Sequence, residues 1–196
     1  MKIYYCRDLR QEKSLHSLAY LLLEEALKRE YPGLAFDQPV SYGKKPMGKP
    51  YLVDYPEIFF NISHCPRCVA CVLGTAEVGI DVERRFEWKN NLASRICHEA
   101  EWAELEHRPE AEKKDGLNLL WSWKESYMKM LGTGIRSDLR KVDFSGMLRE
   151  ALAEESRRCC RDKKKNFYYN LQTEEFTLVC CGREKLTGMI EVPHLL

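Results

Sequence analysis

The chain has 196 residues, with 31 Lys or Arg against 30 Asp or Glu, so its formal net charge at pH 7 is +1. This length suits one large domain or two small ones, and the balanced charge gives no indication of a nucleic-acid binder. No apolar run approaches the ~20 residues that a membrane span needs. Since the N-terminus also lacks the apolar core of a signal peptide, we expect a cytoplasmic protein.

The first part of the chain predicts one strand, one helix and a long loop. Residues 2–6 have the composition of a strand. Apolar residues recur at helical spacing over residues 14–29, and Tyr31-Pro32-Gly33 ends the pattern. A loop rich in Pro, Gly and Lys is expected over residues 37–50. Strands are then predicted at residues 58–62, 68–73 and 78–83.

The second part predicts two helices and a closing hairpin. Residues 92–107 and 118–131 carry apolar residues at helical spacing, and Gly132-Thr133-Gly134 ends the second helix. Residues 142–144 predict a short strand. The final hairpin is predicted from residues 167–171 and 176–181.

Two strand pairs resemble each other. Phe59-Phe60-Asn61-Ile62 followed by Val72-Leu73-Gly74 parallels Tyr168-Tyr169-Asn170-Leu171 followed by Cys180-Cys181-Gly182. Such a repeat predicts an α+β fold of two similar halves, with a boundary near residues 74–77. We place the halves at residues 1–76 and 77–196, with a ligand cleft between them.

Two acidic residues alternate with apolar ones in the strand predicted at residues 78–83. Asp81 and Glu83 are two positions apart and project from the same face, whereas Ile80 and Val82 point into a core. The same alternation is common on the solvent face of an edge strand, so this pair alone does not identify a site.

The helix predicted at residues 118–131 supplies a third carboxylate. Glu125 and Lys129 are four residues apart and share a helix face, a spacing that ordinary surface ion pairs also have. Three converging carboxylates repel one another unless a hard cation neutralises them, and their oxygen atoms suit Mg²⁺. With a lysine beside them, Asp81, Glu83 and Glu125 predict a magnesium site that handles a phosphate.

Two further segments offer hydrogen-bond donors to an anion. Ser63 and His64 end an apolar strand and could donate to a phosphate, although a lone histidine is more often structural. Lys49 lies in the turn Gly48-Lys49-Pro50-Tyr51 and could reach the same anion, although a solvated loop lysine is the simpler interpretation.

The order of these segments resembles one family. Phe60-Asn61-Ile62-Ser63-His64, Gly79-Ile80-Asp81-Val82-Glu83 and Trp123-Lys124-Glu125-Ser126-Tyr127-Met128-Lys129 resemble the motifs of the Sfp-type 4'-phosphopantetheinyl transferases. The turn at residues 48–51 and the glycines at 132–134 also fit. The resemblance implies two pseudo-symmetric α+β halves with coenzyme A bound in the cleft between them.

The same resemblance implies an activity. Members of the family transfer the 4'-phosphopantetheine arm of coenzyme A to a serine of an acyl or peptidyl carrier protein, with Mg²⁺ as cofactor and 3',5'-ADP as product. Carriers of fatty-acid, polyketide and nonribosomal-peptide synthesis all fit this description. A chain of two halves makes its own cleft, so we expect it to act as a monomer, without nucleic acid or membrane.

The resemblance assigns the metal and the reacting phosphate to five residues. Asp81, Glu83 and Glu125 would hold Mg²⁺ against the pyrophosphate of coenzyme A, so Asp81 also counts among the coenzyme-binding residues. Lys129 would contact the phosphate under attack, and Lys124 would help to anchor it.

The resemblance also indicates which residues would bind coenzyme A and which would act as the catalytic base. Ser63 and His64 would bind phosphates of coenzyme A, and Lys49 would lie along its nucleotide. The acceptor serine needs a base. Glu125, or a water that it orients, is the first candidate. Glu101, which matches a further family position, is the second candidate or an additional residue near the metal.

Cysteines support a rival interpretation. The chain has nine cysteines, and an odd count with adjacent pairs does not suit a secreted disulfide framework. Cys65-Pro66-Arg67-Cys68, where the family usually has Ser-Gly at residues 65 and 66, has the spacing of a zinc or redox half-site that Cys71 extends. Buried thiols acting as small apolar residues are the simpler interpretation. A magnesium nuclease and an inactive relative that only binds a carrier protein are further alternatives.

Overall fold

Helices and strands are mixed along the chain, which confirms the predicted α+β class. The computed structural model describes residues 1–9, 13–34, 36, 39–134, 138–153 and 159–195. The strands in these ranges are β1 (Lys2–Cys6), β2 (Tyr42–Lys44), β3 (Pro50–Leu52), β4 (Phe59–Cys65), β5 (Cys68–Gly74), β6 (Val78–Arg84), β7 (Cys159–Arg161), β8 (Phe167–Gln172), β9 (Phe176–Gly182) and β10 (Gly188–Glu191). The helices are α1 (Leu15–Glu30), α2 (Asn90–Ile96), α3 (Glu99–Leu105), α4 (Glu110–Leu131) and α5 (Ser145–Ala153), with a 3₁₀ turn at Leu139–Lys141.

The strands form two four-stranded sheets and a separate hairpin. The N-terminal sheet has the order β10-β1-β5-β4, the C-terminal sheet has the order β6-β9-β8-β7, and β2 pairs with β3 alone. The repeated sequence corresponds to two antiparallel hairpins, β4–β5 and β8–β9. Strand β10 lies near the end of the chain yet pairs in parallel with β1. The division into halves at residue 77 stays a prediction.

Alternation along the strands divides the apolar side chains among three cores. In β5, Cys68 and Ala70 face a core between the two sheets, whereas Val69 and Cys71 face a core beneath α1. The third core lies between α4 and the C-terminal sheet. Because each sheet carries apolar residues on both faces, it is covered on both sides, and the layers follow the order α1, N-terminal sheet, C-terminal sheet, α4.

Helix α1 confirms the prediction for residues 14–29. Ser14 is its N-cap, and the Ser14 side chain accepts a hydrogen bond from the Ser17 backbone N–H. The apolar residues that predicted the helix, including Leu22 and Leu23, are buried against the N-terminal sheet, except Leu15, which is partly buried. No helix among the described residues is long and apolar enough to cross a bilayer.

Several predicted elements differ in the structure. The helix predicted at 92–107 is broken into α2 and α3, because His98 caps α3. Helix α4 begins at Glu110, well before the predicted start at residue 118. The prediction missed its first two turns because they are charged and lack apolar periodicity. Residues 142–144 are not a strand. The loop predicted over 37–50 contains β2, and its residues 37 and 38 lie outside the described ranges.

Candidate active site

The candidate site is built where helix α4 packs directly on strand β6. Gly79 lies on the face of β6 that meets α4, and a Cβ at this position would collide with the backbone of Ser126 and Met130. The missing side chain therefore lets the backbone of the helix approach the strand. Since Asp81 and Glu83 follow Gly79 at two-residue intervals, they share its face and lie beside α4.

An ion pair joins the two elements. Lys129 Nζ of α4 lies 2.8 Å from Asp81 Oδ1 and 2.9 Å from Ser63 Oγ. Asp81 is only 1% exposed. Two carboxylate oxygens, Asp81 Oδ2 and Glu125 Oε1, are buried without a hydrogen-bond partner among the described residues. The structure thus brings Asp81, Glu125 and Lys129 together, as their spacing predicts.

The three predicted metal ligands influence one another electrostatically. Burial, together with the negative charges of Asp81 and Glu83, raises the pKa of Glu125 to about 7, although the Lys129 ammonium opposes the rise. Burial and Asp81 also raise the pKa of Glu83, which Lys129 and a hydrogen bond from Trp121 lower. The carboxylate cluster therefore carries more negative charge than its surroundings stabilise.

This repulsion predicts a pH dependence of stability. Up to about pH 7 the folded protein retains a proton on Glu125, which an unperturbed carboxyl loses near 4.5. The folded state therefore binds more protons in this window, and its unfolding free energy should fall as the pH rises from 5 to 8. Glu125→Gln should flatten the profile and exceed the native protein at pH 8 by ~1–3 kcal/mol.

Urea denaturation in the presence of a chelator measures this effect. Glu57→Gln is the matched control, because Glu57 is exposed and its substitution should leave the profile unchanged. Parallel profiles for the native protein and Glu125→Gln would show that Glu125 is not destabilised in the folded state.

Side chains of β4 connect the two sheets at their edges. Asn61 Oδ1 accepts a hydrogen bond from the Ile80 N–H at 2.9 Å, and Ser63 Oγ accepts one from the Val82 N–H at 3.1 Å. Strand β4 is the edge of one sheet and β6 the edge of the other. These contacts therefore satisfy backbone N–H donors of an edge strand and fix the position of Asp81 along β6 relative to β4.

Two adjoining cavities surround these residues. The first, of about 470 Å³, is lined by Lys49, Glu125 and Lys129 among others. The second, of about 380 Å³, is lined by Ser63, His64, Glu83 and other residues. Both cavities include Gly48, Pro50, Asn61 and Lys129 in their walls.

The second cavity is rich in basic side chains. His64 lies edge-on to His16, with 6.2 Å between the ring centroids, and Lys44 and Lys129 line the same cavity. Burial lowers the pKa of His64, and the charges of His16 and Lys129 lower it further. Ser63 and His64 thus lie in surroundings that suit an anion.

Lys49 is among the residues that line the first cavity. Its ammonium donates to Glu77, to the Val78 carbonyl at 3.0 Å and to the Met130 carbonyl at 2.8 Å. Burial lowers the pKa of Lys49, and the Glu77 carboxylate opposes this. Since Val78 belongs to β6 and Met130 to α4, Lys49 ties together the two elements that carry the carboxylates.

Lys124 and Glu101 lie outside both cavities. Lys124 Nζ donates to Glu101 Oε2 at 2.6 Å and to the carbonyls of Ile96 and Leu139. Both side chains are 0% exposed. Glu101 also accepts hydrogen bonds from the backbone N–H groups of His98 and Phe144. The structure therefore does not bring these two predicted site residues to the carboxylate cluster.

Lys124→Met should destabilise the protein by ~3–5 kcal/mol, because it leaves the Glu101 carboxylate buried without a cation. Chemical denaturation measures the change, and Lys185→Met, at an exposed lysine, is the control. The double variant Glu101→Gln/Lys124→Met should lose less than the sum of the single losses. Native stability of Lys124→Met would contradict the observed ion pair.

Comparison with known proteins identifies the family. The model of the 4'-phosphopantetheinyl transferase superfamily matches residues 77–181, just over half of the chain. The chain belongs to this superfamily. It is 30% identical over 132 residues to the 4'-phosphopantetheinyl transferase Sfp of Bacillus subtilis (strain 168), covering 66% of this chain and 58% of that protein. It is 36% identical over 117 residues to the 4'-phosphopantetheinyl transferase gsp of Aneurinibacillus migulanus, covering 58% and 48%.

A further 4'-phosphopantetheinyl transferase of Bacillus subtilis is 33% identical over 96 residues, or 49% of this chain and 43% of that protein. The chain thus spans about half the length of these relatives. The superfamily match includes β6 and α4, so the candidate carboxylates lie within the matched region.

The carboxylate oxygen atoms of the site are the candidate metal ligands in this superfamily member. In the described part of the chain, no three His, Cys, Asp or Glu side chains are grouped closely enough to hold a metal ion as they stand. However, Asp81 Oδ2 and Glu125 Oε1 lack donors, and Glu83 lies on the same face of β6. Oxygen donors that repel one another suit a hard divalent cation, so these residues fit Mg²⁺.

The nine cysteines of this superfamily member are reduced thiols, and all except the partly exposed Cys159 are buried. Cys68 and Cys71 are three residues apart in one strand, so they face opposite sides of the sheet and lie in different cores. Burial raises the pKa of both thiols. Cys65 and Cys68 pair across the β4–β5 turn and share one core, but Cys71 does not extend this half-site, and the structure agrees with buried thiols acting as small apolar residues.

Two residues that contact the site, Glu77 and Trp121, were not predicted from the sequence. Glu77 holds the Lys49 ammonium, and Trp121 contacts Glu83. Trp121 lies four residues before Glu125, which places it on the same helix face, and this spacing was the available signal. Glu77 has no comparable signal, because its partner lies 28 residues away.

Proposed function

We propose that the chain transfers the 4'-phosphopantetheine arm of coenzyme A to a serine of an acyl or peptidyl carrier protein, with Mg²⁺ as cofactor and release of 3',5'-ADP. One observation carries the proposal. Within a member of this superfamily, Glu125 and Lys129 line a cavity, Lys129 pairs with the buried Asp81, and one oxygen of each carboxylate has no hydrogen-bond partner among the described residues. This arrangement suits a cation and a phosphate together.

The carboxylates and the lysine have separate roles in this proposal. Asp81, Glu83 and Glu125 would hold Mg²⁺, which when bound would offset the negative charge of the pyrophosphate and of the leaving 3',5'-ADP. Lys129 is 29% exposed at its side chain, so its ammonium can exchange Asp81 for a phosphate oxygen of coenzyme A.

Glu125 is the residue that we propose as the base, directly or through a water that it orients. It lines the first cavity, and its Oε1 has no partner among the described residues. Both oxygens of Glu101 already accept hydrogen bonds in the interior, so we assign Glu101 a structural role.

Coenzyme A would occupy the two adjoining cavities. Ser63 and His64 would contact its phosphates from the second cavity, where Lys44 and His16 add positive charge or hydrogen-bond donors. The aliphatic part of Lys49 would lie along the nucleotide, with its ammonium still bound to Glu77.

The test combines the protein with coenzyme A, Mg²⁺ and several apo carrier proteins of fatty-acid, polyketide and nonribosomal-peptide synthesis. Mass spectrometry should show a gain of one phosphopantetheine on at least one carrier, with 3',5'-ADP detected by chromatography. A chelator should stop the reaction, and Mg²⁺ should restore it. Failure to modify any carrier, or modification that persists without a divalent cation, would contradict the proposal.

A further inference from the structure

Exposed apolar side chains are concentrated in two segments of the molecule. Among the described residues, four large hydrophobic side chains are exposed: Met47, Tyr51, Val53 and Leu131. The first three belong to the β2–β3 hairpin or directly follow it, and Leu131 ends α4. Both segments line the first cavity, through residues 47–50 on one side and Met128, Lys129 and Gly132 on the other.

The β2–β3 hairpin is a separate two-stranded sheet, and its turn holds Met47 outward. The Gly48 N–H donates to the Lys45 carbonyl at 2.8 Å, and the Lys45 N–H donates to the Lys49 carbonyl at 2.9 Å. Gly48 adopts a positive φ of 88°, which favours glycine. Met47 is therefore presented by a closed turn whose lysine, Lys49, is anchored to β6 and α4.

The hairpin is also positively charged. Residues 42–52 contain Lys44, Lys45 and Lys49 and no acidic residue. Lys49 is buried, and Glu77 contacts both Lys45 and Lys49, so the exposed Lys44 and the partly exposed Lys45 give the hairpin its surface charge. A surface that is both apolar and basic complements a protein that presents apolar side chains among acidic ones.

From these observations we infer that the carrier protein docks on the tip of the β2–β3 hairpin and the end of α4, with Met47 and Leu131 as apolar contacts. This inference rests on the proposed function, since the acceptor serine must reach Glu125 and Lys129. Those two residues share a cavity with Met47, so an acceptor protein that brings its serine there must cover this rim. The partner is thus an acidic carrier domain with apolar residues beside its serine.

Steady-state kinetics test the inference, with apo acyl carrier protein varied at saturating coenzyme A and Mg²⁺. Leu131→Glu should raise the KM for the carrier tenfold or more, with kcat within about twofold of native, because it removes an apolar contact and repels an acidic partner. Met47→Glu should raise the same KM, and its KM for coenzyme A is measured in parallel because Met47 lines the first cavity. Val53→Glu is the matched control. Val53 is 49% exposed, against 47% for Met47, but lies at the opposite end of the same hairpin.

The outcomes separate the inference from the proposed function. If native protein transfers but all three variants have the native KM for the carrier, the docking surface is wrong. If native protein modifies no carrier, the proposed function fails, and docking is then decided by photo-crosslinking of apo acyl carrier protein to a benzophenone side chain at residue 47 or 53. Crosslinking from 47 but not from 53 would support the surface, and equal or absent crosslinking would overturn it.

Discussion

Asp81→Asn is expected to lower the transfer rate by about a thousandfold or more while the protein stays folded. The amide keeps the size of the side chain but removes one of three interacting negative charges. A cation held by Asp81, Glu83 and Glu125 would lose part of its attraction, and Lys129 would lose its charged partner. The loss should affect kcat as well as the Mg²⁺ dependence.

Product formation on a carrier protein, followed by mass spectrometry over a range of Mg²⁺ concentrations, measures this effect. Asp8→Asn is the control, since Asp8 is exposed and its variant should react at the native rate. Urea denaturation should show that Asp81→Asn still unfolds cooperatively. Near-native transfer by Asp81→Asn with Mg²⁺ supplied would remove Asp81 from the metal site.

Gly79→Ala is expected to lower the unfolding free energy by ~3 kcal/mol or more. The new Cβ would overlap the Ser126 carbonyl oxygen and the Met130 backbone nitrogen. Both atoms belong to the backbone of α4, so no rotation of a side chain can relieve the clash. The helix must move away from β6, which also separates Glu125 and Lys129 from Asp81.

Gly146→Ala is the matched control for this substitution. Gly146 lies in α5, and a Cβ there would meet nothing within 4 Å. Alanine should therefore be neutral or stabilise the helix by up to ~1 kcal/mol. Chemical denaturation compares the two variants, and transfer assays on folded Gly79→Ala protein should show reduced activity. Equal stabilities of the two variants would mean that α4 does not need its close approach to β6.

Local patterns predicted the elements whose apolar residues repeat regularly. Helix α1 and strands β4, β5, β6, β8 and β9 were predicted within a few residues of their bounds. The first two turns of α4 and the break at His98 were not predicted. Charged helix formers leave no apolar pattern, and a cap formed by a histidine depends on a hydrogen bond that only the folded backbone provides.

The candidate site was predicted unevenly, for a related reason. Asp81 and Lys129 were assigned to a common site from their spacings alone, and their ion pair agrees with this. Lys124, next to Glu125 in the sequence, points elsewhere because adjacent helical residues lie about 100° apart around the axis. Its ammonium lies in the interior with Glu101, so neighbouring motif residues need not share a function.

The sequence by itself determined that acidic residues on one strand face and one helix face are available for a common site, because periodicity of two and of 3.6 residues fixes which side chains share a face. Only the tertiary structure decided how close those faces come, which depends on the contact of Gly79 with α4. It also decided where the lysine ammonium groups bind, because those of Lys49 and Lys124 find carboxylate and carbonyl partners in distant segments. Burial then raised the pKa of Glu125, a property that arises only once α4 covers β6.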